Sequence, residues 1–113
     1  MRLFKYLKDK EYRIYCKMER RHRRELVKLA KNTHDYDYDY LHRLVILKLR
    51  HFLEYYESGY NVWQTDETLI PLINSLKETL SIADEIENSD LVDPELYKKF
   101  YSLVGKYIVY WWD

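Results

Sequence analysis

The sequence predicts an all-α fold: a four-helix, bundle-like domain with a long basic N-terminal helix. Three observations point there. The chain has only two glycines and two prolines in 113 residues, too few for the turns of an all-β domain. Apolar residues recur at three- and four-residue spacing through four segments. Start and stop signals for helices separate those segments. The length suits a single domain, 1–113, and is short for a doubly wound sheet or a barrel.

The first helix reads over 2–31, where Phe4, Leu7, Ile14, Met18, Leu26 and Leu29 fall near one face. It would span roughly 45 Å, and Asn32-Thr33 ends it. The second reads from Asp39 to Ser58, with a stripe of Leu41, Leu44, Val45, Phe52 and Tyr56. Ile46, Leu47, Leu49 and Leu53 widen that stripe, so this helix is expected to be the most buried. Asp35, Asp37 and Asp39 crowd its start, where carboxylates cap free N–H groups; Ser58-Gly59 closes it. Lys48 falls on the stripe, where its ammonium must snorkel to water or find a carboxylate; an ion pair with Asp37, Asp84 or Asp113 is the expectation.

Thr65 or Thr68 caps a third helix to about Glu87, with Leu69, Ile73, Leu76, Leu80 and Ala83 inward and Pro71 near its first turns. Asp93-Pro94-Glu95 combines an N-cap, a proline at the first position and an acid in the first turn. The fourth helix follows through Leu96, Phe100, Leu103, Tyr107 and Tyr110 to Trp111-Trp112, where one Trp at most faces fully inward. Gly105 inside it costs about 1 kcal/mol relative to Ala, which suggests close approach of a helix or ligand. The last three helices match at about 30 Å. The first is half again longer, and its surplus suggests a homo-oligomer.

The net charge is zero, yet its distribution is uneven. Residues 1–32 hold 12 Lys/Arg against 4 Asp/Glu, and residues 33–113 hold 7 against 15. A +8 basic helix thus precedes a −8 acidic three-helix part. Such asymmetry points to an anionic partner, or equally to pairing with the acidic remainder.

The densest basic segment is Arg20-Arg21-His22-Arg23-Arg24. Arg20, Arg23 and Arg24 share a face by i, i+3 and i+4 spacing, and Arg13 and Lys17 extend it. Forked guanidinium groups suit phosphate; the competing reading is a solvated or intersubunit face. Tyr36 and Tyr38, from the alternating His34-Asp35-Tyr36-Asp37-Tyr38-Asp39-Tyr40 segment, and Trp112 are candidates to stack on a base. The tyrosines also read as core or interface residues.

Other chemistry finds less support. The Asp-x-Asp-x-Asp spacing is not a calcium loop, because Tyr40 stands where Gly is needed and Ile46 where the bidentate Glu belongs. A di-metal carboxylate centre wants two Glu-x-x-His pairs. Only Glu19-x-x-His22 fits, among arginines, while His51-x-x-Glu54 is reversed. Cys16 reads as a small packing residue. There is no glycine-rich phosphate loop or nucleophile elbow, so no catalytic residue, cofactor or metal is assigned. No run of 18 apolar residues suggests a membrane span, and Lys5, Lys8, Asp9 and Lys10 break up any signal-peptide core.

Asp37-Tyr38-Asp39-Tyr40-Leu41, then Lys48-Leu49, the Gly59-Tyr60-Asn61-Val62 turn and the final Trp111-Trp112-Asp113 resemble a loose family of small bacteriophage helical proteins. These share an Asp-aromatic-x-aromatic-Leu start, a Lys-Leu helix and a Trp-Trp-Asp end. The resemblance spans 34–113 and leaves out the basic first helix. It implies a phage accessory protein in the cytoplasm of an infected bacterium and transfers no catalytic residue. The expected function is non-catalytic counter-defence binding. An anionic nucleotide-type ligand would be sequestered by Arg13, Arg20, Arg23 and Arg24, with Tyr36, Tyr38 or Trp112 stacking on its base. The alternative is an inhibitor that docks on a host defence or transcription protein. Nonspecific nucleic-acid binding ranks third, since the −8 remainder repels phosphate.

Overall fold

The computed structural model describes the backbone of residues 2–32, 38–58 and 65–111, with side chains from residue 10 to 31 in the first segment. The elements are α1 (Arg2–Asn32), α2 (Tyr38–Glu57), α3 (Asp66–Asn88), α4 (Pro94–Tyr107) and a 3-10 turn (Ile108–Tyr110), with no strand among the described residues. The fold is all-α with four helices, as predicted. The chain divides into two compact units, 1–62 and 63–113. The charge divide at 32/33 falls inside the first unit. Unit 1 holds 15 Lys/Arg against 9 Asp/Glu, and unit 2 holds 4 against 10.

In unit 1, α1 and α2 pack antiparallel. The Tyr15 and Tyr55 rings meet edge-on at 6.0 Å, and Glu19 bonds His51, so numbers fall along α2 as they rise along α1. Tyr55 lies two residues before α2 ends, so the first dozen residues of α1 run past that end. The inward stripe of α1 differs from the expected one. Ile14 is 48% exposed, whereas Met18 and His22 are buried. Tyr15, Met18, His22, Leu26 and Leu29 keep a three-to-four-residue step; counting only apolar residues misses the histidine at its centre.

On α2 the fully buried residues are His42, Leu49 and Tyr56, spaced at two turns. The expected stripe shifts accordingly: Leu41 is exposed, while Leu44, Val45 and Phe52 are half-buried. Nor is α2 the most buried helix, because its apolar residues spread around the cylinder and most are only partly covered. That place belongs to α3, which buries Ser75, Leu76, Thr79, Leu80, Ile82 and Ala83. Lys48 is exposed, and its Nζ donates to His22 Nε2 at 3.1 Å rather than to a carboxylate. Two of its expected partners, Asp37 and Asp113, lie outside the described residues.

In unit 2, α3 begins after Thr65, whose extended backbone presents its carbonyl to the N–H groups of Thr68 and Leu69 at 3.1 and 2.9 Å. Its side chain makes no cap bond. At α4 the capping is complete: Asp93 Oδ1 accepts from the Glu95 N–H at 3.0 Å and Pro94 opens the helix. Here the helix ends at Tyr107, sooner than expected, and tightens into the 3-10 turn. Trp111, Phe100, Leu76 and Thr79 are the largest fully buried side chains. Trp111 Nε1 donates to Ser75 Oγ at 2.8 Å, Ser75 Oγ donates to the Leu72 carbonyl at 2.7 Å, and Thr79 Oγ1 to the Ser75 carbonyl at 2.8 Å. This chain satisfies the polar groups that burial would otherwise penalise. Gly105 is exposed, and a methyl group there meets nothing within 4 Å. Among the described residues no helix makes the close approach expected of it.

Candidate anion-binding groove

Because α1 has neither Gly nor Pro, its basic face is continuous, and α2 supplies the opposing wall. The result in unit 1 is an open groove of about 1140 Å3. Lys17, Arg20, Arg21, Arg23 and Arg24 line it from α1, and Arg50 from α2. Met18 and Leu53 add apolar surface, and Glu54 and Glu57 the only carboxylates among its residues. A shallower groove of about 460 Å3 continues along α1 past Arg23 and Arg24 to Lys28 and Lys31. From Lys17 to Lys31 the cationic track covers about 21 Å at helical rise.

The pairing within the groove is uneven. Arg21 binds Glu54, lies 3.9 Å from Glu25, and has its guanidinium held above its ordinary pKa chiefly by the Glu54 bond. Arg20 Nε leans on the Cys16 carbonyl at 3.4 Å. Among the described residues no carboxylate pairs with Lys17, Arg23 or Arg24. Three cations on one wall thus face no carboxylate of the described residues.

Beside the groove lies a recess of about 400 Å3 that shares Arg21, Arg50 and Glu54 with it and adds His22, His51 and Glu25. His22 is 4% exposed. Its ring stacks on His51 at 3.9 Å and 6°, and His51 Nε2 donates to Glu19 Oε1 at 2.9 Å. Burial first, then the electrostatic influence of neighbouring His51 and Lys48, pushes the His22 imidazole down to about 4, against the weaker pull of Glu19 and Glu54. At neutral pH it is therefore uncharged. An ammonium only donates, so the Lys48 contact makes Nε2 the acceptor and leaves the single proton on Nδ1. That Nδ1 is buried without a partner among the described residues.

Of the residues the sequence singled out, Arg20, Arg23 and Arg24 meet in the groove. Arg13 is exposed on α1 but does not line it. Tyr38, 61% exposed at the first position of α2, lies away from it too. Tyr36 and Trp112 fall outside the described residues. Sequence reasoning missed Arg50 and His22. Arg50 stands on α2 with no local cue to a groove, and the sequence places His22 only in the basic cluster and in the Glu19-x-x-His22 pair.

The two halves of the rejected di-metal pattern do face each other across α1 and α2. Parallel stacked rings aim their nitrogens sideways, however, and Lys48 occupies the His22 lone pair. Among the described residues no three His, Cys, Asp or Glu side chains are placed to hold a metal ion. No helix of the described residues is long and apolar enough to cross a membrane. No protein-family model matches the chain, and no curated protein or solved structure matches it.

Proposed function

We propose that this is a non-catalytic binding protein that sequesters an anionic, nucleotide-type ligand in the α1–α2 groove. The observation behind this reading is the convergence of Lys17, Arg20, Arg21, Arg23, Arg24 and Arg50 on one open surface, with Glu54 and Glu57 the opposing carboxylates among the described residues. Guanidinium forks on two helices suit phosphate oxygens from two sides. A track of about 21 Å favours a ligand with more than one phosphate. A long nucleic acid fits less well, since residues 63–113 carry 10 acids against 4 bases and add a net negative charge that disfavours a polyanion.

The setting of a phage counter-defence factor in the host bacterial cytoplasm comes from the short motifs of residues 34–113, and homo-oligomer formation from the overhang of α1. Calorimetry with a panel of cyclic and ADP-ribose-type nucleotides tests the reading. Binding in the micromolar range, lost on Arg23→Glu with Arg24→Glu, supports it; no heat at high micromolar concentration sinks it. Light scattering of the free protein reads the subunit number.

A second reading, an inhibitor that docks on a host protein, draws on unit 2. There Leu91 and Val109 are 81% and 71% exposed, next to exposed Val92 and Tyr110. Capture of a host protein that survives the Arg23 and Arg24 reversals favours this reading over the first.

A further inference from the structure

Resting on the groove as the phosphate site, we infer that the adjoining recess takes the base of a purine nucleotide, with His22 Nδ1–H donating to the purine N7. Four observations converge on this. The Lys48 ammonium at 3.1 Å from Nε2 leaves Nδ1 as a fixed N–H donor. Among the described residues that donor is buried without a partner; buried donors in folded proteins are almost always satisfied, and a ligand acceptor would satisfy this one. The recess shares Arg21, Arg50 and Glu54 with the groove, so one molecule can occupy both. Its charges balance, Arg21 and Arg50 against Glu25 and Glu54, which suits a neutral base where the groove suits phosphate.

The donor set narrows the base. Adenine and guanine both offer an N7 acceptor. Beside it adenine has an amino donor, which a carboxylate accepts, and guanine has O6, which a guanidinium reads. The recess holds both kinds of partner. Pyrimidines have no N7. His22 is 4% exposed, so a base reaching Nδ1 requires the exposed Arg21 and Arg50 side chains that line both groove and recess to shift.

The experiment uses the wild-type chain, so no variant has to fold. Calorimetry compares tripolyphosphate, UTP, ATP, GTP, 7-deaza-ATP and 7-deaza-GTP. The expected result is that ATP or GTP binds about tenfold more tightly than tripolyphosphate and UTP. Its 7-deaza analogue, lacking only the acceptor, falls back to the UTP level. Nitrogen-15 NMR of labelled histidine should show the Nδ1–H tautomer of His22 and a shift on adding the preferred purine nucleotide. Tripolyphosphate binding with no gain from a purine, equal affinity for UTP, or a 7-deaza analogue as tight as its parent overturns the inference and leaves the groove standing. Failure of tripolyphosphate and every nucleotide to bind removes the groove reading itself.

Discussion

Lowering the pH should weaken unit 1 through His22 before the carboxylates are reached. Its imidazole titrates at about 4 in the fold and at about 6.5 in an unfolded chain. Because the folded value is the lower one, the unfolded state binds more protons between the two, and stability falls as pH drops through that window. Linkage puts the loss from pH 7 to pH 5 at about 2 kcal/mol, approaching about 3 kcal/mol below pH 4. His42, also pushed down by burial with Asp39 opposing, adds to the slope with the same sign. The comparison of wild type with His22→Leu cancels that contribution. The variant leaves Lys48 Nζ without His22, but the side chain is exposed and reaches water. Urea unfolding followed by circular dichroism at pH 7, 6 and 5 reads the difference. An equal loss in both proteins refutes the assignment of this slope to His22.

Three further outcomes test other parts of the structure. Gly105→Ala should stabilise unit 2 by about 1 kcal/mol, since nothing stands where the methyl group goes; a lower melting temperature would mean that the glycine serves a contact. Trp111→Phe, which removes the donor to Ser75 Oγ and some buried volume, should cost about 1–3 kcal/mol, measured by chemical denaturation. Asp93→Ala should cost about 1 kcal/mol, because its carboxylate holds the Glu95 N–H, and the loss should appear in thermal melts.

The helices were legible because their boundaries are written in local chemistry. Asp93-Pro94-Glu95 places a side-chain acceptor, a missing N–H and an acid where one helix end needs them, and Thr65 marks α3 within a residue. Packing was less legible, because the inward stripe of α1 includes a histidine. An apolar count chose Ile14, whereas the fold buries His22 by pairing it with Lys48. The same pairing explains the misread partner of Lys48: an imidazole accepts as a carboxylate does, but only a tertiary contact reveals which one is near. Of the site, the Arg20, Arg23 and Arg24 face followed from helical spacing alone. Arg50 did not, since it joins the groove through the α1–α2 register.

All three tryptophans, Trp63, Trp111 and Trp112, belong to residues 63–113, and nine of the 13 tyrosines to residues 1–62. The two units therefore differ in colour. Indole emission comes from side chains of residues 63–113, with Trp111 sealed against Ser75 as the buried reporter of unit 2. Far-ultraviolet ellipticity follows the helices of both units. If the two signals fall along one curve in urea, the units melt as one cooperative body; if indole emission departs from ellipticity, each unit stands or falls alone.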